Sequence, residues 1–165
     1  MTVRSLRRLP HAFSPREWEG ELRAKGLRIV VICARWNPTV TEALLGSCLA
    51  ALKRHGARVG DVSVIRVPGA FELPAAARAA IAKRPHALVA LAVIVRGETT
   101  HHEVLGQAVA TALAQLSVDS AVPIGFGLLT CDTMEQARAR TQKGGEAAEA
   151  AVTMANLRRS LAGRA

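Results

Sequence analysis

Four times along the chain an apolar, mostly β-branched run gives way to a short polar junction and then to an alanine-rich segment with helical spacing. The run LRIVVICA (27–34) leads through RWN into PTVTEALLGSCLAALKRHG, and VSVIRV (62–67) leads through PGA into FELPAAARAAIAKR. ALVALAVIV (87–95) leads through RGETT into HHEVLGQAVATALAQLS. AVPIGFGLL (121–129) leads through TCDT into MEQARART and on to EAAEAAVTMANLRRSLA. Strands alternating with helices over short links predict βαβ units, and so a parallel sheet covered by helices on both faces. The third run is apolar without a break, which predicts a central strand buried on both sides.

The junctions carry helix-start signals. Asn37 is placed to cap the first helix, with Pro38 at its first position, where a missing N–H costs little. Thr100 and Glu103 have capping-box spacing before the third helix, as do Asp132 and Glu135 before the fourth. Gly56 fits the end of the first helix, and Pro74 falls where an early helical proline is tolerated. KGGE (143–146) is expected to interrupt the C-terminal helical region. Residues 1–26 differ from the rest, being polar and basic with Pro10 and Pro15. They predict an arm, in which EWEGELRAKG is an added edge strand or a strand lent to a neighbour. Residues 27–165 then form a single domain, a size at which one proper core is expected.

A formal net charge of +9 favours anionic partners. The Arg and Lys residues are dispersed apart from RSLRRL and LRRS, which weighs against nucleic acid and reads as solvated tails. Cys33, Cys48 and Cys131 show no CxxC or zinc-knuckle spacing and predict a reducing, cytoplasmic setting. The first residues lack the apolar stretch of a secretory signal, and ALVALAVIV stops at Arg96, too short to cross a bilayer.

In an open parallel sheet, ligands bind beyond the carboxyl ends of the strands. The only aromatic residues are two Trp and three Phe, and Trp36, Phe71 and Phe126 fall at or near the expected rim. Three rings on one rim predict a stacking pocket for a flat heterocycle, with ordinary core packing as the alternative for each ring alone. RGETTHH admits several readings. Gly97 and the helix start behind it suit a phosphate, and equally a plain threonine cap with a glycine turn. No GxxxxGK[ST] or GxGxxG is present, so nucleotide hydrolysis and dinucleotide redox chemistry lose their usual support. His101 and His102 would point about 100° apart on a helix, which disfavours joint chelation of a metal. A single histidine beside an anion suits proton transfer.

Five segments in this order, RWN, VPGAFELP, VRGETTHHEV, FGLLTCDTMEQARAR and KGGEAAEAAVTMANL, resemble those of the lumazine synthases, and WEGELRAKGLR is similar to that family's N-terminal segment. The resemblance implies a three-layer α/β sandwich around a four-stranded parallel sheet of flavodoxin-like order 2-1-3-4, with an N-terminal strand available for exchange between subunits. It implies a transferase that condenses 5-amino-6-ribitylaminouracil with 3,4-dihydroxy-2-butanone 4-phosphate, with no metal or organic cofactor. By the same resemblance Trp36 stacks on the pyrimidine with Asn37 beside it, and Ala70, Phe71 and Glu72 contact the pyrimidine and ribityl chain. Ile94 and Val95 line the ring's polar edge. Gly97, Glu98, Thr99, Thr100 and Arg140 hold phosphate, and His101 transfers protons. Phe126 and Arg140 are implied to reach the site from the adjoining subunit of a homopentamer, some of which build icosahedral shells. A riboflavin synthase is the further protein partner implied. Three departures stand out: Trp36 replaces the commoner Phe, His102 stands where Phe or Tyr is usual, and only Thr141 and Gln142 separate Arg140 from Lys143. A related archaeal-type riboflavin synthase and a non-catalytic, flavin-binding or shell-forming scaffold are the alternatives.

Overall fold

The computed structural model describes residues 15–163, so the RSLRRL arm and Phe13 lie outside the described residues. Four strands form one parallel sheet: β1 (Ile29–Ala34), β2 (Val62–Val67), β3 (Ala87–Val95) and β4 (Ile124–Cys131). Their order is β2-β1-β3-β4, as the resemblance implied. Between them run α1 (Pro38–Arg54), α2 (Leu73–Ile81) and α3 (His101–Ser120), followed after β4 by the short α4 (Met134–Arg138) and the long α5 (Lys143–Leu161).

The two-residue period of the strands sorts their side chains into two cores. Odd positions of β1 and β3, among them Val31, Cys33, Val89 and Leu91, join Leu44, Cys48, Ala148 and Val152 from α1 and α5. Even positions, such as Ile32, Ala34, Ala90 and Ile94, join Leu73, Ala77, Val109 and Leu113 from α2 and α3. β3 is buried over its whole length up to Ile94 and pairs on both sides, so it is the axis of the fold.

Alanine and glycine let α5 sit very close to the rest of the molecule. A Cβ on Gly144 would lie 2.0 Å from the Leu44 carbonyl oxygen of α1, and one on Gly125 would lie 2.1 Å from the Ala147 oxygen. KGGE therefore does not interrupt the C-terminal helical region. It forms the first turn of α5, and the break falls at residues 139–142. The C-terminal end of α1 is also tied electrostatically to α5. Arg54 Nη2 donates to Glu149 Oε1 at 2.6 Å, and His55 Nε2 lies 3.0 Å from the same oxygen.

Several local expectations shift. Asn37 sits at the α1 N-cap position, but its side chain makes no capping bond. Its backbone is left-handed (φ 56°), a conformation asparagine tolerates, and its carbonyl accepts from Val40 N–H at 2.9 Å. The fourth helix is capped one residue later than the spacing suggested: Thr133 Oγ1 accepts from Gln136 N–H, and Gln136 Oε1 accepts from Asp132 N–H. Thr100 likewise makes no side-chain cap for α3. Gly56, with φ 91°, does end α1. The segment EWEGELRAKG forms no strand within the chain. Gly20 lies against the backbone of α5, and Asn156 Nδ2 donates to the Glu21 and Arg23 carbonyls at 2.7 and 2.9 Å, satisfying groups that a sheet ladder would have used. Ala24 and Leu27 are fully buried in the first core.

Two outcomes follow from this packing. Gly144→Ala lowers stability by about 1–3 kcal/mol in denaturant unfolding, although alanine is the better helix former; a stabilised variant would show that α5 stands off from α1. The hydrogen bond from His55 first, and then Arg54, hold the Glu149 carboxyl below its ordinary range against the opposing effect of partial burial. A depressed folded pKa contributes stability above the unfolded value and loses it as pH falls through the folded one. Glu149→Gln therefore unfolds at lower denaturant near neutral pH, by about 1 kcal/mol, and the gap to the wild type closes in acid. A pH-independent gap would assign the effect to packing.

Candidate active site

β1 and β3 are neighbours whose connections leave in opposite directions, so their carboxyl ends frame the switch point of the sheet. A cleft of about 570 Å³ opens there, within the usual range for a small-molecule site. One wall comes from the junction after β1. The ring of Trp36 is 72% exposed and packs over Gly69, where an added Cβ would meet its Cε3 at 3.6 Å. Arg35 N–H and Trp36 N–H donate to the carbonyls of Val67 and Pro68 at 2.8 and 3.2 Å, locking this junction to the one after β2. Asn37, whose side chain makes no capping bond to α1, also lines the cleft.

The junction after β2 supplies Ala70, Phe71 and Glu72, which form a single 3₁₀ turn before α2. Phe71 is 68% exposed. Gly69 N–H donates to Glu72 Oε2 at 2.9 Å, so one carboxylate oxygen is held and the other remains to accept a bond from a ligand. Ile94 and Val95 reach the cleft from the end of β3.

The third junction faces Trp36. Gly97, Thr99, His101 and His102 line it. Gly97 is not in a left-handed conformation, and a Cβ built on it would meet nothing within 4 Å. The space left by the missing side chain thus belongs to the cleft, and the glycine-turn explanation does not apply. Among the described residues, the backbone N–H groups of Gly97, Glu98, Thr99, Thr100 and His102 have no acceptor. They sit at the positive end of the 20-residue helix α3, an arrangement that favours an anion. Glu98 and Thr100 are exposed on the same turn without lining the cleft wall.

Two expected residues lie elsewhere. Phe126 is the third of eight residues in β4, in register with Ala90, because the strand begins after Pro123 and runs on through Thr130 and Cys131. Proline cannot donate to the ladder, which fixes that start. Phe126 is therefore not near the end of its strand, and it lines a second groove of about 680 Å³ with Val118, Lys143, Glu146 and Met154. Arg140 follows α4, exposed, with Nη1 donating to the Gln136 carbonyl at 2.8 Å, and it does not line the cleft. No lysine or arginine lines the cleft among the described residues. The sequence reading missed Val93, Pro68 and Leu105 as wall residues. Leu105 was accessible through its i, i+4 spacing from His101, which puts both on one helix face. It also missed Lys143, which pairs with Glu146 in the second groove.

An aromatic wall and an anion-ready helix start across one switch point give an α/β protein with a cleft suited to a flat heterocycle beside a small anion. A family model described as 6,7-dimethyl-8-ribityllumazine synthase matches residues 26–159. A 6,7-dimethyl-8-ribityllumazine synthase of Anaeromyxobacter dehalogenans is 44% identical over 151 residues, 88% of this chain and 93% of its own. Those of Kosmotoga olearia and Nitratidesulfovibrio vulgaris are each 41% identical, over 88% and 82% of this chain and 97% and 89% of theirs. The chain belongs to the 6,7-dimethyl-8-ribityllumazine synthase family.

The exposed Trp36 ring gives the site an intrinsic probe. A flat pyrimidine with a hydroxylated tail quenches tryptophan fluorescence on titration, and Trp36→Phe, which retains Trp18, loses most of that response. Quenching that survives the substitution would place the heterocycle away from this wall.

Proposed function

We propose that the chain condenses 5-amino-6-(D-ribitylamino)uracil with 3,4-dihydroxy-2-butanone 4-phosphate to 6,7-dimethyl-8-ribityllumazine, releasing phosphate and water, the penultimate step of riboflavin biosynthesis. The observation that carries this is one cleft joining the Trp36 wall to the cradle at residues 97–102, with His101 on its lining. The pyrimidine stacks on Trp36, the free oxygen of Glu72 accepts from the substrate, and Asn37, Ala70, Phe71, Ile94 and Val95 complete its surround. Gly97, Glu98, Thr99 and Thr100 present donors to the phosphate.

The ring amine attacks the ketone and water leaves to give an imine. A proton is then removed from the hydroxyl-bearing carbon next to the imine as phosphate departs from its neighbour, leaving an enol. The enol is protonated on carbon to a ketone, and the ribityl-bearing nitrogen closes the second ring on that new carbonyl with loss of a second water. His101 carries protons in these steps, while the helix end stabilises the negative charge on the leaving phosphate. Holding two reactants in register supplies much of the acceleration, since effective molarities reach on the order of 10⁵ M or more.

No lysine or arginine among the described residues lines the cleft, which supports a site shared between subunits. Phe126 and Arg140 then come from the adjoining copy of a homopentamer, and the exposed Phe126, Val118 and Met154 of the second groove fit such an interface. N-terminal residues lent to a neighbour's outer strand belong to the same assembly. A riboflavin synthase that consumes the lumazine is the partner this product implies. Among the described residues no helix is long and apolar enough to cross a membrane, and the three free, buried thiols suit a reducing cytoplasm.

Purified protein mixed with both substrates produces lumazine fluorescence and free phosphate together, and light scattering reports a pentamer or larger. His101→Ala lowers kcat by about 10- to 100-fold, toward the low end for acid–base catalysis because juxtaposition remains. Undiminished turnover in that variant removes the proton-transfer role. Consumption of two lumazines in place of the substrate pair would instead identify a riboflavin synthase.

A further inference from the structure

Of the two adjacent histidines, His102 has the more enclosed side chain. Its side chain is only 12% exposed, whereas His101 lies open on the cleft surface. His102 Nδ1 is 3.1 Å from the Thr99 carbonyl oxygen. A carbonyl only accepts, so Nδ1 carries the proton and donates. Its other ring nitrogen is 3.8 Å from Glu103 Oε1, beyond hydrogen-bonding distance, so the Thr99 contact is what orients the ring.

Thr99 is held from a second direction as well, because its hydroxyl accepts from His101 N–H at 3.4 Å. All peptide bonds among the described residues are trans. In a trans peptide the C=O and N–H point in opposite directions. Fixing the Thr99 carbonyl on the imidazole therefore fixes the Thr100 N–H pointing away from it. That N–H is one of the donors left without a protein acceptor at the positive end of α3.

We propose that His102 is a positioning residue: its Nδ1–H latches the Thr99 carbonyl and so pre-orients the Thr100 N–H for the phosphate of the substrate. The inference rests on the lumazine synthesis proposed above for the identity of that phosphate. Without the latch, the Thr99–Thr100 peptide is free to rotate, and the anion must order it on binding. A ring that merely walls the cleft would do as well without a donor.

Three substitutions separate these roles. The asparagine amide nitrogen overlays Nδ1, so His102→Asn retains the latch. His102→Gln places its nitrogen near the position of Nε2 and loses it, and His102→Phe keeps the ring without any donor. Steady-state kinetics are read separately for each substrate, and inorganic phosphate binding is measured by calorimetry on the same assembled protein. His102→Gln and His102→Phe raise KM for the phosphorylated ketone, and weaken phosphate binding, by about 3- to 10-fold, the scale of one net hydrogen bond. KM for the pyrimidine and kcat stay within about twofold, and His102→Asn returns both phosphate readouts toward the wild type. Unchanged phosphate binding in His102→Gln and His102→Phe, no recovery in His102→Asn, or an equal loss for both substrates overturns the latch. A wild type that makes no lumazine overturns the proposed reaction, while the phosphate titration still decides the role of His102.

Discussion

Everything in this molecule is arranged around a strand that must be dry on both faces. β3 offers nine apolar residues in a row, and a parallel strand of that kind is stable only between two strands and beneath helices on both sides. Meeting that demand uses α1 and α5 on one face and α2 and α3 on the other. What remains open is the rim where β1 and β3 deliver their chains to opposite layers. The candidate cleft lies there because it is where the packing leaves room.

The close seating of α5 and the placement of the cleft are linked. Backbone contact at Gly144 and Gly125 brings α5 onto both α1 and β4, which leaves Lys143 and Phe126 on a groove of their own rather than at the switch point. The described chain thus carries two lined surfaces with complementary contents. One is a cleft with rings and free N–H donors but no lining cation, and the other is a groove with an exposed phenylalanine and a lysine.

Much of this was legible before any coordinates. The alternation of apolar runs and alanine-rich segments marked each βα unit, and period-two burial along β1 and β3 was implicit in the prediction of a doubly covered sheet. Trp36, Glu72, Gly97 and His101 could be placed on one rim because each lies in, or at the helix start closing, a junction that follows a strand. Phe126 could not, since Thr130 and Cys131 look like a polar junction and yet pair with Ile94 and Val95 inside the ladder. The expected side-chain caps at the helix starts failed for a related reason. Spacing shows that Thr100 or Asp132 could cap a helix, but local geometry decides which hydroxyl or amide does so, and at α4 it chose Thr133 and Gln136. The seating of α5 on glycines and the turn of His102 toward Thr99 depend on contacts of a few ångströms that no periodicity encodes.

With no lysine or arginine lining the cleft among the described residues, the protein's response to its own abundance takes a particular form. If the positive charge for a bound phosphate arrives on another copy, affinity for that substrate is linked to subunit association by mass action. Dilution would then weaken phosphate capture before it disturbed the wall of Trp36 and Phe71, which each chain carries itself. Conversely, the phosphorylated substrate would act as a glue, shifting the population toward assembled forms as its concentration rises.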